Sequence, residues 1–500
     1  MKKKYYIGLD QGTTGTTTLL LDEKWNVVAR GYKEHTQYYP KPGWVEHDPL
    51  ELWQRVMESM SMALSEGGVS AEDVACIGID NQGETVMLWD KITGAPVYNA
   101  IVWQDRRMAR YADELTTEYG ELIREKTGLM ADSYFSGPKI KWIIDNVDGV
   151  KEKIKEGRVL AGTLDSWLIW KMTHGKVHVT DCSTASRTMM FNIHTGKWDD
   201  EILDILGISR SILPEICDSS MVYGYTDPLD FFGAKIPISG SVVDQQAALF
   251  GQACFAPGTI KCTYGTGCFM LMNTGEKPIY SSNGLLTTVA WRLNKKMTFA
   301  LDGGIYITGA ATQWLRDGIK IIDSAAQTEQ MAYDAKSNGG VYFVPAFAGL
   351  AAPHWDSYAR GTIVGLTRGV NRNHIIRATL AALAYQTVDV LRAMRADSGI
   401  DLAALKVDGG ASANNYLMQA QADLTGAPVL RPRCVETTAM GASYLAGLAV
   451  GIWSSPLEVA RNWSVDRTFQ PELEPEERDR RLTGWHRAVS CSRGWAREEA

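Results

Sequence analysis

Tyr5-Tyr6-Ile7-Gly8-Leu9-Asp10-Gln11-Gly12-Thr13-Thr14-Gly15-Thr16-Thr17-Thr18-Leu19-Leu20-Leu21 reads as an apolar strand, a Gly/Thr turn and a second β-rich strand, so a hairpin. The turn holds one carboxylate, Asp10, with glycines and a cluster of hydroxyls. Backbone N–H groups that oxygens can approach closely, hydroxyl donors and an acid for a cation are the parts of a phosphate–metal site. The stretch is not a Walker loop, because no Gly-Lys-Ser/Thr follows, and it is not a dinucleotide fingerprint, because no helix begins there. Taken alone, such a hairpin is most often only a tight turn.

The layout recurs in the second half. Thr259-Ile260-Lys261-Cys262-Thr263-Tyr264-Gly265-Thr266-Gly267-Cys268-Phe269-Met270-Leu271-Met272 is again strand, Gly-Thr-Gly turn, strand. A device used twice suggests a duplicated domain with two hairpins facing a cleft. Two further turns add to it: Ala300-Leu301-Asp302-Gly303-Gly304, followed by Gly309 to Trp314, and Leu405-Lys406-Val407-Asp408-Gly409-Gly410, followed by Ala411 to Asn415. In each, a strand is expected to stop at Asp-Gly-Gly and a helix to follow, leaving backbone N–H groups where a nucleotide can lie. The boundary is expected at Gln252 to Gly258, where Pro257 and Gly258 interrupt the pattern, giving domains 1–252 and 253–500.

Between these landmarks, strands alternate with helices, so the fold class is α/β with partly parallel pairing. Asp48-Pro49 predicts an N-cap and first turn of a helix running to about Leu64. Val74 to Ile79 is a strand entering the polar loop Asn81-Gln82-Gly83-Glu84-Thr85, and Val86 to Trp89 continues the sheet. Helical pattern dominates from Arg107 to Trp170, with a break at Asp132 to Pro138. Ile236 to Gly240 is a buried strand ending in glycine, after which Asp244-Gln245-Gln246 opens a helix of small residues.

Composition narrows the function. The 500 residues are 45% hydrophobic, enough for a large core in two or more domains, and the net charge of −7 argues against binding nucleic acid. No run of about 18 apolar residues suggests a membrane span. Met1-Lys2-Lys3-Lys4 is basic, but a strand with Asp10 follows in place of an apolar leader segment, so no signal peptide is expected. The eight cysteines are scattered without a CxxC pair, as reduced core thiols of a cytoplasmic protein are. His174-Gly175-Lys176-Val177-His178 has metal-like spacing but reads as a turn into a strand.

Phosphoryl transfer needs positioning, a divalent cation and an acid that accepts a hydroxyl proton. Asp10 and Asp244, each at the end of an expected strand, are the candidate acids. Gln245 and Gln246 set amide donors beside Asp244, and Gln82-Gly83-Glu84 with Trp103 and Tyr134 offers polar groups on an aromatic background suited to a hydroxylated ligand.

Tyr39 to Pro49, Tyr134 to Asn146, Ser186-Arg187-Thr188, Asp244 to Gly251, Tyr264 to Gly275 and Gly361 to Asn373 resemble the FGGY carbohydrate kinases over nearly the whole chain. The resemblance implies two ribonuclease-H-like (actin-like ATPase) domains with ATP and a polyol, glycerol first among them, in the catalytic cleft. It implies that Asp244 is the general base, and that Gly83, Glu84, Trp103, Tyr134, Gln245 and Phe269 stand at the polyol. Thr13, Thr14, Gly15 and Thr17 would meet phosphates, Thr266, Gly309, Gln313, Gly410 and Asn414 would hold the nucleotide, and Asp10 would help hold Mg²⁺. A homo-oligomer, dimer or tetramer, is the expected assembly.

The chain departs from the family at several points. Gly83 replaces the arginine usual before the glutamate, a donor to a polyol hydroxyl of about 1.5–3 kcal/mol. Its loss is expected to weaken glycerol binding or to open the pocket to a larger polyol such as erythritol or threitol. Gly15 and Thr17 stand where serine and arginine are frequent, and Ala381 replaces an acidic or amide residue. Asp230-Phe231-Phe232-Gly233-Ala234-Lys235 differs from the loop that binds fructose bisphosphate in some bacterial members, so no such inhibition is expected. A nucleotide-binding sensor or actin-like assembly protein without catalysis is the rival from another class.

Overall fold

The computed structural model describes residues 4–497, so Met1 to Lys3 of the basic start lie outside the described residues. The opening stretch forms the strands Tyr5–Gln11 and Gly15–Leu21, paired antiparallel with Asp10 opposite Thr17. A third antiparallel strand, Val27–Glu34, extends the hairpin. On its other side Tyr5–Gln11 pairs parallel with Val74–Asn81, and that strand pairs parallel with Pro237–Val243. With Ser220–Tyr225 at the edge, this makes a six-stranded sheet.

The second sheet repeats the plan. Ile260–Tyr264 and Cys268–Gly275 form the second hairpin, and Lys296–Ile305 and Leu286–Leu293 continue it antiparallel. Ile260–Tyr264 pairs parallel with Leu405–Asp408, which pairs parallel with Val429–Pro432. Seven strands result, with Val465–Phe469 at the edge. Both Gly/Thr hairpins thus hold the same place, antiparallel on one side and parallel on the other. The architecture is α/β, with two sheets built on one plan, as expected.

Local expectations hold at the first helix, Pro49–Gly67, where Asp48 accepts a hydrogen bond from Leu50 N. Three expectations fail. Val159–Thr163, inside the stretch expected to be helical, is a strand paired with Val86–Asp90. The strand at Gly240 does not end there but runs to Val243, and Lys296–Ile305 runs straight through Asp302-Gly303-Gly304. Those glycines serve packing: a Cβ on Gly303 would lie 2.5 Å from Val390 Cγ1, and one on Gly240 would lie 2.6 Å from Ala442 O. The Leu405–Asp408 strand, in contrast, stops at its Asp-Gly-Gly turn as expected.

The helix Thr437–Ala449, from the second half, lies on the first sheet beside the helix Asp244–Gly251, over Gly8, Gly78 and Gly240. No described helix is long and apolar enough to cross a membrane. Among the described residues no two cysteines form a disulfide, and six of the eight are buried. His174 and Gly175 form the expected turn with positive φ, and His178 Nε2 meets Ala161 O at 3.0 Å.

The C-terminal helix Pro475–Ser492 is fastened through one buried carboxylate. Asp389 accepts from Trp485 Nε1 at 2.7 Å and pairs with His486 Nε2 at 2.9 Å and His354 Nε2 at 3.3 Å. Burial pushes its pKa up, but these hydrogen bonds outweigh that and hold it below the usual carboxylate range. Asp389→Ala strands the buried Trp485 N–H and is expected to cost about 1–3 kcal/mol, read as a lower thermal midpoint at neutral pH. A depressed carboxylate pKa stabilises above the unfolded value of about 3.9, and that stabilisation is lost as pH falls through the folded value. The difference between variant and wild type should therefore shrink in acid.

Candidate functional site

Thr13 and Thr14 sit in the turn of the first hairpin, and neighbours fix it. Gln37 Nε2 donates to Thr13 O at 2.7 Å, and Trp103 Nε1 donates to Thr13 Oγ1 at 2.9 Å. Gly15 has no room for a side chain, since a Cβ there would lie 2.7 Å from Tyr32 Oη. Thr17 is buried in its strand, and its hydroxyl accepts from Arg30 Nη2 at 3.4 Å. Arg30 also pairs with Glu436 at 3.0 Å, so a cation stands beside this hairpin although position 17 lacks one.

The second hairpin borders a cavity of about 530 Å³, and Thr266, Gly309, Gln313, Gly410 and Asn414 all line it. The backbone makes the cradle: Gly309 N donates to Gly265 O at 3.0 Å, and a Cβ on Gly309 would lie 2.5 Å from that oxygen. A Cβ on Gly410 would meet nothing within 4 Å, so that glycine leaves open space in the cavity. Asn414 caps the helix Asn415–Thr425 by accepting from Leu417 N, and its Nδ2 donates to Thr328 Oγ1 at 3.0 Å. Thr328, Glu329 and Arg316 also line the cavity. Nothing in the sequence around these three marks them as cavity residues, because they reach it only through the packing of distant segments.

The other end of the cleft is aromatic and charged. Trp103 packs edge-on against Tyr134 at 5.6 Å between ring centroids and against Phe269 of the second hairpin at 6.5 Å. Glu84 is buried with φ +59°, a left-handed backbone that a non-glycine residue keeps only where its surroundings enforce it. Ser136 Oγ donates to Glu84 O at 3.2 Å, and the buried Lys139 reaches the carbonyls of Glu84, Tyr134 and Phe135. A Cβ on Gly83 would lie 2.8 Å from Val243 Cγ2, with Arg187 Cγ next at 4.0 Å, so Val243 stands close against the backbone there.

Asp244 begins its helix directly after the strand Pro237–Val243. Its Oδ1 accepts from Gln245 N at 2.7 Å and its Oδ2 from Gln245 Nε2 at 3.3 Å. Lys261 Nζ meets Gln245 Oε1 and donates to Thr263 Oγ1 at 3.0 Å and Phe269 O at 3.3 Å. Burial raises the pKa of Asp244, while Lys261, the Gln245 hydrogen bonds and Arg187 pull it down.

Asp10 accepts from Thr438 Oγ1 at 2.8 Å, and burial raises its pKa to about 6, with Asp244 and Glu436 adding to the rise. Behind it lies the buried Asp80, whose carboxyl shares a hydrogen bond with that of Asp10, and burial and Asp10 push its pKa well up. The described residues hold no cluster of three or more His, Cys, Asp or Glu side chains placed to chelate a metal. That is no obstacle to Mg²⁺, which is commonly held by one or two carboxylates together with substrate phosphates. Two carboxyl groups side by side at the first hairpin, each raised by burial, are a donor set of that chemistry.

Residues 5–251 match the N-terminal domain of the FGGY family of carbohydrate kinases, and residues 260–450 match its C-terminal domain. The chain is 60% identical to glycerol kinase 2 of Thermotoga maritima, over 98% of this chain and 99% of that one. It is 58% identical to the glycerol kinase of Carboxydothermus hydrogenoformans over the full length of both. Among solved structures, the Plasmodium falciparum glycerol kinase with ADP superposes with a TM-score of 0.91 at 37% identity, covering 98% of each chain.

Proposed function

This chain belongs to the FGGY family of carbohydrate kinases, and from that premise we propose that it transfers the γ-phosphate of ATP to a terminal hydroxyl of glycerol, giving sn-glycerol 3-phosphate. The observation that carries the proposal is that one hairpin serves both ends of the cleft. Its turn borders the nucleotide cavity at Thr266, its strand meets the aromatic box at Phe269, and Lys261 clasps Gln245 beside Asp244. A phosphate held at the turn and a hydroxyl held at the box are then neighbours of the same acid.

In this reading Thr266, Gly309, Gln313, Gly410 and Asn414 hold the nucleotide, and the N–H and hydroxyl groups of Thr13 and Thr14, with Gly15 and Thr17 behind them, receive its phosphates. Trp103 and Phe269 pack against the carbon chain of the polyol, while Glu84, Tyr134 and Gln245 take its hydroxyls. Asp244 accepts the proton of the attacking hydroxyl. Lys261 and Arg187 favour its charged form, while burial brings its pKa up toward the working range. When bound, Mg²⁺ neutralises phosphate charge, and Asp10 is the residue that would hold it. Closing the two domains excludes water, so that the hydroxyl competes for the phosphoryl group.

A coupled ADP-release assay over three- to five-carbon polyols tests this. Glycerol is expected to give the highest kcat/KM. A higher value for erythritol or threitol would shift the assignment to that acceptor, and ATP binding without polyol-stimulated ADP release would make the protein a nucleotide sensor.

A further inference from the structure

Arg187 lies just beyond the short helix Cys182–Ala185, and its guanidinium sits among the acceptor residues. Its Nε donates to Glu84 Oε1 at 2.6 Å, and its Nη1 lies 3.0 Å from Asp302 Oδ2. The rings of Phe135 and Tyr134 are 5.5 and 5.9 Å from its central carbon. The side chain is only 5% exposed, and Nη1 has no well-aligned acceptor among the described residues. A guanidinium taken out of water costs free energy unless its donors are matched, and here one carboxylate holds it in good geometry and a second only by charge.

The partners come from separate parts of the chain. Glu84 belongs to the turn after Val74–Asn81, Tyr134 to the approach to the helix Ser136–Asn146, and Asp302 to the second sheet. A brace between the two halves would explain the Asp302 contact. It would not explain why the best hydrogen bond goes to Glu84, whose backbone is itself held in a strained conformation.

We propose that Arg187 is the positioning residue of the acceptor subsite, holding the Glu84 carboxylate in place, and so setting polyol affinity in a chain that has glycine at position 83. This rests on the reading of Glu84 as a polyol ligand. A charged, fixed carboxylate accepts from two hydroxyls of a polyol, whereas a protonated one loses an acceptor and its orientation. Burial drives the Glu84 pKa up to about 7, and Arg187 is the strongest influence against that rise, with Lys139 helping and Asp244 opposing. Tyr134 is the remaining titratable neighbour, and burial pushes its pKa well up, so it stays neutral.

Steady-state kinetics of Arg187→Met and Arg187→Lys in the full chain test the proposal. Arg187→Met is expected to raise the glycerol KM by about 10- to 100-fold, with the ATP KM near wild type. Without the cation the Glu84 pKa rises further, so the acid limb of kcat/KM should move to higher pH. Arg187→Lys keeps the charge and should restore part of the affinity, with the limb returning toward its original place. Should Arg187→Met not fold, Arg187→Lys decides alone, because a single ammonium does not reproduce the arginine geometry and its glycerol KM must still rise. A folded variant with wild-type glycerol KM and an unmoved acid limb overturns the proposal, whatever its thermal midpoint, because a brace alone moves only stability. Absence of glycerol-dependent ADP release in the wild type would instead overturn the acceptor reading itself.

Discussion

Asp244→Asn is expected to lower kcat for glycerol phosphorylation by a factor of about 10²–10⁴, the range that a positioned general base contributes. The substitution is close to isosteric and removes the proton acceptor while preserving the environment. Asp244 starts a helix at the end of a buried strand, and its Oδ1 accepts from Gln245 N at 2.7 Å, which an asparagine oxygen can also do. The thermal midpoint and ADP affinity, read by calorimetry, should stay near wild type. They report the fold and the cavity lined by Thr266 and Asn414, neither of which depends on a charge at position 244. Near-normal turnover in the asparagine variant would remove Asp244 from the base role.

The parts of this site that are legible in the sequence are those written in local chain geometry. Gly-Thr-Thr-Gly and Gly-Thr-Gly, each between two β-rich runs, point to tight hairpins, so both turns can be read, as can the Asp-Gly-Gly turn at Asp408. The place of Arg187 beside Glu84 and Asp302 is not legible. Its partners Glu84 and Asp302 lie about a hundred residues away on either side, and nothing in Ser186-Arg187-Thr188 indicates that its guanidinium turns toward them. The same limit explains Gly83. The nearest neighbour on the side that a Cβ at position 83 would take is Val243, a residue of another strand.

Glycine is ambiguous in a consistent way, because it marks close approach as readily as it marks a turn. Gly240, Gly303 and Gly304 lie inside strands, and only the helices packed over the sheets show why at least two of them must lack a side chain. Gly8, Gly78 and Gly240 form a row across three neighbouring strands of the first sheet, and the backbone of Thr437–Ala449 rests on all three. The helix could approach so closely only because its own facing residues are small: Ala439, Ala442, Ser443 and Ala446.

Gly78→Val is accordingly expected to be among the most damaging single substitutions in the chain. A Cβ on Gly78 would lie 2.0 Å from Ala442 O and 2.8 Å from Ser443 N, both helix backbone, so no side chain can swing aside to make room. Even alanine at this position forces the helix off the sheet, and overpacking that neighbouring side chains cannot relieve costs about 3 kcal/mol or more. Valine adds two further methyl groups to the same clash and should leave little soluble protein. The displacement reaches the chemistry as well, because Thr438 on that helix donates to Asp10 at 2.8 Å, and any Gly78→Ala protein that folds should lose activity along with stability. Gly68→Ala provides the contrast. Gly68 has φ +61°, and a methyl added there would meet nothing within 4 Å. That variant therefore bears only the left-handed backbone cost of about 1 kcal/mol and should keep full turnover. Equal thermal midpoints for the two alanine variants would show that the contact between helix and sheet yields more easily than its backbone neighbours indicate.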